Sequence, residues 1–132
     1  MGLILLDTNV VSYLMNSHSL ASQYRPYLTG NTPAVCFQTV AELFQGAFRA
    51  RWGKKRVAEL ERTIARYLVV PSSHEASQEW ARVRYQRRHE PISAEDAWMA
   101  ATALTYDCPL VTHNPKDFRG IRGLRVITEA GK

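Results

Sequence analysis

Four carboxylates in this sequence, Asp7, Glu42, Asp96 and Asp117, stand beside short aliphatic runs or at helix starts. Brought to one place, four acids repel one another, so as a purely structural cluster they are unfavourable. A hard divalent cation offsets that repulsion, because Mg²⁺ and Mn²⁺ prefer oxygen ligands. Bound Mg²⁺ keeps several waters and completes its shell with phosphate oxygens, which suits phosphodiester hydrolysis. Each acid also has an ordinary structural reading. Asp7 suits a helix N-cap, Thr39-x-x-Glu42 and Ser93-x-x-Asp96 have the spacing of capping boxes, and Asp117 suits a turn after Pro115. The readings are compatible, since a carboxylate in the first turn of a helix is favoured by the helix dipole.

The elements around these acids decide whether they meet. Leu3–Leu6 reads as a buried strand, with a helix from about Thr8. A second helix is expected over Ser19–Leu28, ended by "TGNTP", and Ala34–Phe37 is the next strand. Val40, Leu43, Phe44, Ala47 and Phe48 form an apolar stripe at helical spacing, which Val57, Leu60, Ile64 and Leu68 continue past Gly53. "YLVVP" is a strand closed by Pro71. Trp80, Val83 and Arg87 lie along a helix ending at "HEP", and a further helix spans Ala94–Tyr106. Strands at Pro109–Thr112 and Leu124–Ile127 follow. Short aliphatic strands alternating with helices indicate an α/β fold with a parallel sheet covered on both faces. Ligands bind such sheets at the carboxyl ends of the strands, where Asp7, Glu42 and Asp117 fall.

A length of 132 residues fits one domain, 1–132, and 45% hydrophobic with 22% charged residues is ordinary for a globular protein. No apolar run is long enough to span a bilayer and no leader is recognisable, so a cytoplasmic protein with no membrane association is expected. Cys36 and Cys108 each lie in or beside an apolar segment and read as buried thiols of a reducing compartment. Lys and Arg total 17 against 12 Asp and Glu, and setting the four acids aside leaves only eight. An acidic pocket within a basic surface is what a nuclease needs, since basic surfaces attract polyanions. The basic residues cluster at Arg49–Arg56, Arg82–His89 and Arg119–Arg125. Arg84, Arg87 and Arg88 stand at i, i+3 and i+4, so they are expected to share a cationic, RNA-binding helix face near "HEP".

Other chemistries lack their residues. His18, His74, His89 and His113 have no zinc-ligand spacing, and there is no G-x-S-x-G elbow, Walker loop or G-x-G-x-x-G fingerprint. An aspartate-nucleophile phosphatase carries a second acid two residues after the first, where this chain has Asn9.

The segments "LILLDTNVVSYLM", "TVAELFQG", "PISAEDAWMAATAL" and "PLVTHNPKDFRGIRGLRVI" together resemble the PIN-domain nucleases, and most closely the VapC-type toxins of toxin–antitoxin pairs. The resemblance runs from about Leu3 to Ile127. It implies a three-layer α/β/α sandwich with a central, mostly parallel sheet, and an endoribonuclease dependent on Mg²⁺ or Mn²⁺. The family's acidic quartet falls on Asp7, Glu42, Asp96 and Asp117, and its supporting polar positions on Thr8, Asn9, Thr112 and Asn114. A small antitoxin protein, an RNA substrate and a homodimer are the implied partners. A family nuclease of RNA processing or DNA metabolism, and an inactive RNA- or protein-binding module, are the alternatives. Four intact acids disfavour the inactive module. His113 stands where relatives often carry Arg or Lys, and Glu95 adds a carboxylate beside Asp96.

Overall fold

Leu3, Ile4, Leu5 and Leu6 offer no polar face, so this segment is stable only as a strand covered on both sides. The computed structural model, which describes residues 2–132, places it as β1 (Leu3–Leu6) in the middle of a five-stranded sheet. The chain continues through α1 (Thr8–Met15), α2 (Ala21–Leu28), β2 (Thr32–Cys36), α3 (Phe37–Arg49) and α4 (Lys54–Ile64). After these come β3 (Leu68–Val70), α5 (His74–Gln86), α6 (Ala94–Thr105), β4 (Leu110–Val111) and β5 (Val126–Ile127). Between the last two strands Pro115–Phe118 makes a single 3-10 turn.

Strand order is β3-β2-β1-β4-β5, and every pairing is parallel. The first three strands therefore step outward on one side of β1, and the last two on the other. That reversal leaves a crevice between the carboxyl ends of β1 and β4, the place where open parallel sheets bind ligands. Leu5 pairs with Leu110 and Leu6 with Val111, so Asp7 and Thr112, one residue beyond, emerge side by side.

Alternation along the strands separates two cores. Ile4, Leu6, Val35 and Val111 pack with Val10, Val11, Tyr24, Leu43, Ala47 and Leu60 of α1 to α4. Leu5, Ala34, Cys36 and Leu110 face the other way, against Val83 of α5 and Ala97, Met99, Ala100 and Ala103 of α6. The layers are thus α/β/α, the expected sandwich. Small residues along α6 let it lie close to both the sheet and α5. Cys36 and Cys108 are buried and free.

Several boundaries differ from the sequence reading for identifiable reasons. Strand β2 ends at Cys36, and Phe37 opens α3 rather than closing the strand. Leu68 keeps the spacing of the α4 stripe but belongs to β3, where two β-branched residues follow it, and it is 52% exposed. The α3 stripe likewise overshoots: Leu43 and Ala47 are buried, but Phe48 is 70% exposed. Pro33 is accommodated within β2 because β3 covers that strand only from Ala34 onward. The α2 helix starts at Ala21 rather than Ser19.

Burial ranks the consequences of truncation. Leu5, fully buried on the α5 and α6 side of the sheet, should destabilise the protein by about 3 kcal/mol when replaced by Ala. Phe48→Ala should change stability by less than about 1 kcal/mol. Urea unfolding of the two variants measures this difference directly.

Candidate active site

The crevice is built from backbone geometry outward. Asp7 leaves β1 in extended conformation and caps α1, its Oδ1 accepting the Asn9 backbone N–H at 3.4 Å. Its second oxygen, Oδ2, accepts the Thr112 hydroxyl at 2.6 Å across the gap between β1 and β4. Thr112 is itself held, because its Oγ1 accepts the Asn114 backbone N–H at 3.0 Å. Asn114 thus contributes through its main chain. Asn9 does the same, with its side chain exposed.

Glu42 reaches the crevice from α3, where its Oε1 accepts the Thr8 hydroxyl at 2.9 Å. Thr8 Oγ1 also lies 2.9 Å from Thr39 Oγ1. No Thr39–Glu42 capping box forms. Cys36 occupies the N-cap, and Thr39 is fully buried inside the helix, its hydroxyl also 3.8 Å from Met99 Sδ. Residues three apart share a helix face, so Thr39 and Glu42 both turn toward α1. Thr39 is the member of this network that capping spacing concealed.

Asp96 sits in the first turn of α6, and there the cap does form: Ser93 Oγ accepts the Asp96 backbone N–H at 3.0 Å. Asp117 lies on the 3-10 turn, and with Asp96 it lines a cleft of about 380 Å³ shared with Lys116 and Arg119.

These acids feel one another. Burial pushes the Asp7 carboxyl above its ordinary value; Thr112 and the backbone N–H groups of Asn9 and Thr8 oppose this, and the Asp117 charge adds to it. Glu42 is raised by burial, opposed by the Thr8 hydroxyl, and raised again by Asp7 and Glu95. Glu95 is exposed and acts on Glu42 through its charge. Asp96 is pushed up to about 6, chiefly by burial, then by Asp7 and Asp117, with Glu42 adding a smaller push. Every member of the quartet is thus either raised by another or raises another.

A divalent cation fits this donor set by its chemistry: all the ligands are carboxylate oxygens, and a positive charge relieves their common repulsion. Among the described residues no three acidic, histidine or cysteine side chains are grouped so that they could hold an ion by themselves. An open arrangement of this kind suits Mg²⁺, which is held by one or two carboxylates with waters and phosphate oxygens.

The expected cationic face of Arg84, Arg87 and Arg88 does not form. Helix α5 ends at Gln86, and Arg87 leaves it with φ −101° and ψ 21°, so helical spacing no longer applies. Its buried guanidinium donates to three backbone carbonyls: Glu90 O at 2.7 Å, Asp117 O at 3.0 Å and Arg119 O at 3.0 Å. Arg87 therefore positions the Asp117 turn from beneath. Arg84 and Arg88 remain on the surface, over the rings of Trp80 and Tyr85. His113 is tied into the α2 side of the sheet, its Nδ1 2.5 Å from the Tyr24 hydroxyl.

Residues 4–124 match the PIN domain family. Ribonuclease VapC1 of Rickettsia felis is 30% identical over 138 residues, covering all of this chain and 99% of its own. The chain belongs to the VapC-type PIN domains. The PIN architecture recurs in the structure of VapBC-1 from nontypeable Haemophilus influenzae, with a TM-score of 0.82 and 27% identity, over 96% of this chain and 97% of that one. A toxin-antitoxin complex from Klebsiella pneumoniae gives 0.75 and 25%, over 95% and 96%. Across these PIN relatives the likeness covers 95% or more of this chain.

Two measurements probe this electrostatic frame. The folded chain holds the Asp96 proton more tightly than the unfolded chain does. The stability so gained is full below the ordinary carboxyl value of 3.8 and is lost as pH rises through about 6. In a chelator, raising pH from 5 to 7.5 should remove on the order of 1 kcal/mol, after discounting for the solvent that reaches this half-buried group. Asp96→Asn should flatten that slope in urea unfolding; an unchanged slope would contradict the assigned field. Separately, Arg87→Met strands three carbonyls and should destabilise the fold by roughly 2–4 kcal/mol in the same assay.

Proposed function

We propose that this VapC-type PIN domain is a metal-dependent endoribonuclease, the toxin of a toxin–antitoxin pair, which hydrolyses RNA phosphodiester bonds. The observation supporting this reading is a buried Asp7 held by Thr112 at the crevice between β1 and β4, with Glu42 bound to Thr8 of the adjoining helix and Asp96 and Asp117 lining one cleft. The ribonuclease name of the Rickettsia felis relative supports it, as does the toxin–antitoxin complex among the structural relatives. A small antitoxin protein and a second copy of the chain are the partners proposed on the same family grounds. Among the described residues no helix is long and apolar enough to cross a membrane.

The proposed ligands for Mg²⁺ or Mn²⁺ are Asp7, Asp96 and Asp117, with Glu42 as a nearer or outer member. When bound, such a cation supplies a Lewis acid for a phosphoryl oxygen and for the attacking water. Everything else is work for the chain. Thr112 fixes one oxygen of Asp7 and leaves the carboxylate a defined direction; hydrogen bonds of this kind orient metal ligands. Thr8 does the same for Glu42. Ser93 and the first turn of α6 hold the Asp96 backbone, and Arg87 holds that of Asp117. Lys116 and Arg119, on the rim of the same cleft, give the scissile strand its phosphate contacts.

Replacing a metal ligand should cost at least the roughly 100-fold that follows loss of an outer hydrogen-bond partner. Asp96→Asn should therefore abolish cleavage of RNA while retaining the fold, and Mg²⁺ or Mn²⁺ should raise the melting temperature of the wild type. The thermal shift should disappear in the Asp7→Ala, Asp117→Ala double variant. Full activity in Asp96→Asn, or an equal shift in the double variant, would remove these acids from the site.

A further inference from the structure

The cleft containing Asp96 and Asp117 has a neighbour. A second cleft, of about 470 Å³, is lined by Tyr85, Gln86, Arg88, Gly120 and Arg122. The first lies between the segment from Arg87 to Asp96 and the 3-10 turn, the second between the end of α5 and the chain just after that turn. Arg87 divides them. It lines the first cleft, while a Cβ on Gly120, in the second, would stand 4.0 Å from Arg87 Cδ. Gly120 has φ +78°, a conformation that favours glycine, and it carries the chain over the buried arginine. The first cleft thus holds the two acids with Lys116 and Arg119 on one side of Arg87, and on its other side the second cleft holds Tyr85, Arg88 and Arg122.

Tyr85 is unusual within it. The ring is 66% exposed, although it stands on a helix whose neighbouring Val83 and Ala76 are buried. Arg88 lies across one face, its guanidinium carbon 4.1 Å from the ring centroid, and its Nη1 donates to Tyr85 O at 2.9 Å. With one face covered by a cation, a planar ligand has the other face for stacking. The surrounding charge is mostly positive. Glu90, 3.9 Å from Arg119 and 3.7 Å from Arg87, is the acid of the first cleft besides Asp96 and Asp117. The second cleft is lined by two arginines and no acid.

We infer that Tyr85 is a stacking platform for an unpaired base of the RNA strand that runs from the acid crevice, with Arg88 and Arg122 beside it for the phosphates. This deepens, and rests on, the ribonuclease reading above. Aromatic rings beside cationic side chains hold single strands because every base has a flat face and every nucleotide a phosphate. A paired base has its faces already occupied, so the platform selects unpaired RNA. A protein partner fits less well: the second cleft offers one aromatic ring among charged and polar groups, without the apolar centre of a protein interface.

The test uses single-stranded oligoribonucleotides, each with one abasic position, and measures affinity in a chelator alongside cleavage in Mg²⁺. One abasic position should weaken wild-type binding about tenfold, within the range of a lost base–aromatic stack. Tyr85→Ala should weaken binding of the intact oligonucleotide by a similar factor and lose nothing further at that position. Tyr85→Phe should bind as the wild type does. Arg122→Gln should lower the slope of log affinity against log salt by about one. Unchanged RNA affinity in Tyr85→Ala would overturn the platform, as would losses that multiply at every abasic position. Normal RNA binding by Tyr85→Ala with weakened binding of the antitoxin would overturn it too, and assign the ring to a protein interface. A wild-type protein that cuts the oligonucleotide while Tyr85→Ala matches it in affinity removes only the platform. Wild-type protein that neither binds nor cuts would remove the ribonuclease reading as well.

Discussion

A carboxylate at the inner end of a central strand is the constraint around which this molecule is arranged. Asp7 follows three buried aliphatic residues and is itself only 5% exposed. Taking a charged group out of water is costly unless hydrogen bonds or an opposite charge compensate it. Compensation comes from two directions, the first turn of α1 and the hydroxyl of Thr112 on the neighbouring strand. The second depends on the β1–β4 pairing, and that pairing exists because the strand order reverses beside β1. The sheet thus offers one position where an acid can be both buried and held.

The remaining groups are added in a ring around that position, each on an element of its own. Glu42 comes from α3, Asp96 from the start of α6, and Asp117 from the turn after β4. A hydroxyl or an arginine fixes each of them: Thr8, Ser93 and Arg87. Rigid elements hold such constellations more accurately than loops do. The cost is burial together with mutual repulsion, and both raise the proton affinity of Asp96. Outside the ring the surface turns basic, so the same chain attracts a polyanion and presents it with acids that require a cation between them.

Much of this was readable from residue order, and the limits of that reading are physical. Layering and parallel pairing follow from the aliphatic runs, because a strand with no polar face must be covered twice. The acids were visible because strand ends are where such sheets bind ligands. The positions that misled were those where two periodicities overlap. Leu68 satisfies a helical interval and a strand, and the sheet took it; Phe48 continues a stripe after the core has ended. Thr39 and Glu42 match a cap by spacing, yet the helix starts two residues earlier at Phe37. Arg87 could not be separated from Arg84 and Arg88 without knowing that α5 stops at Gln86. Two of its three partners are carbonyls 30 and 32 positions away, and main-chain acceptors leave no trace in the identity of a residue.

The Asp7–Thr112 bond joins residues 105 positions apart. Contacts of that separation form late, because the loop they close must first be brought together. During synthesis the first acid is made near the start, but its partner strand and Asp117 belong to the last stretch of the chain. A nascent chain can have α1 to α4 packed against β1 to β3 while its crevice still lacks one wall. Competence for chemistry therefore arrives only with the final strands, and every partly made copy of this domain is built without a working centre.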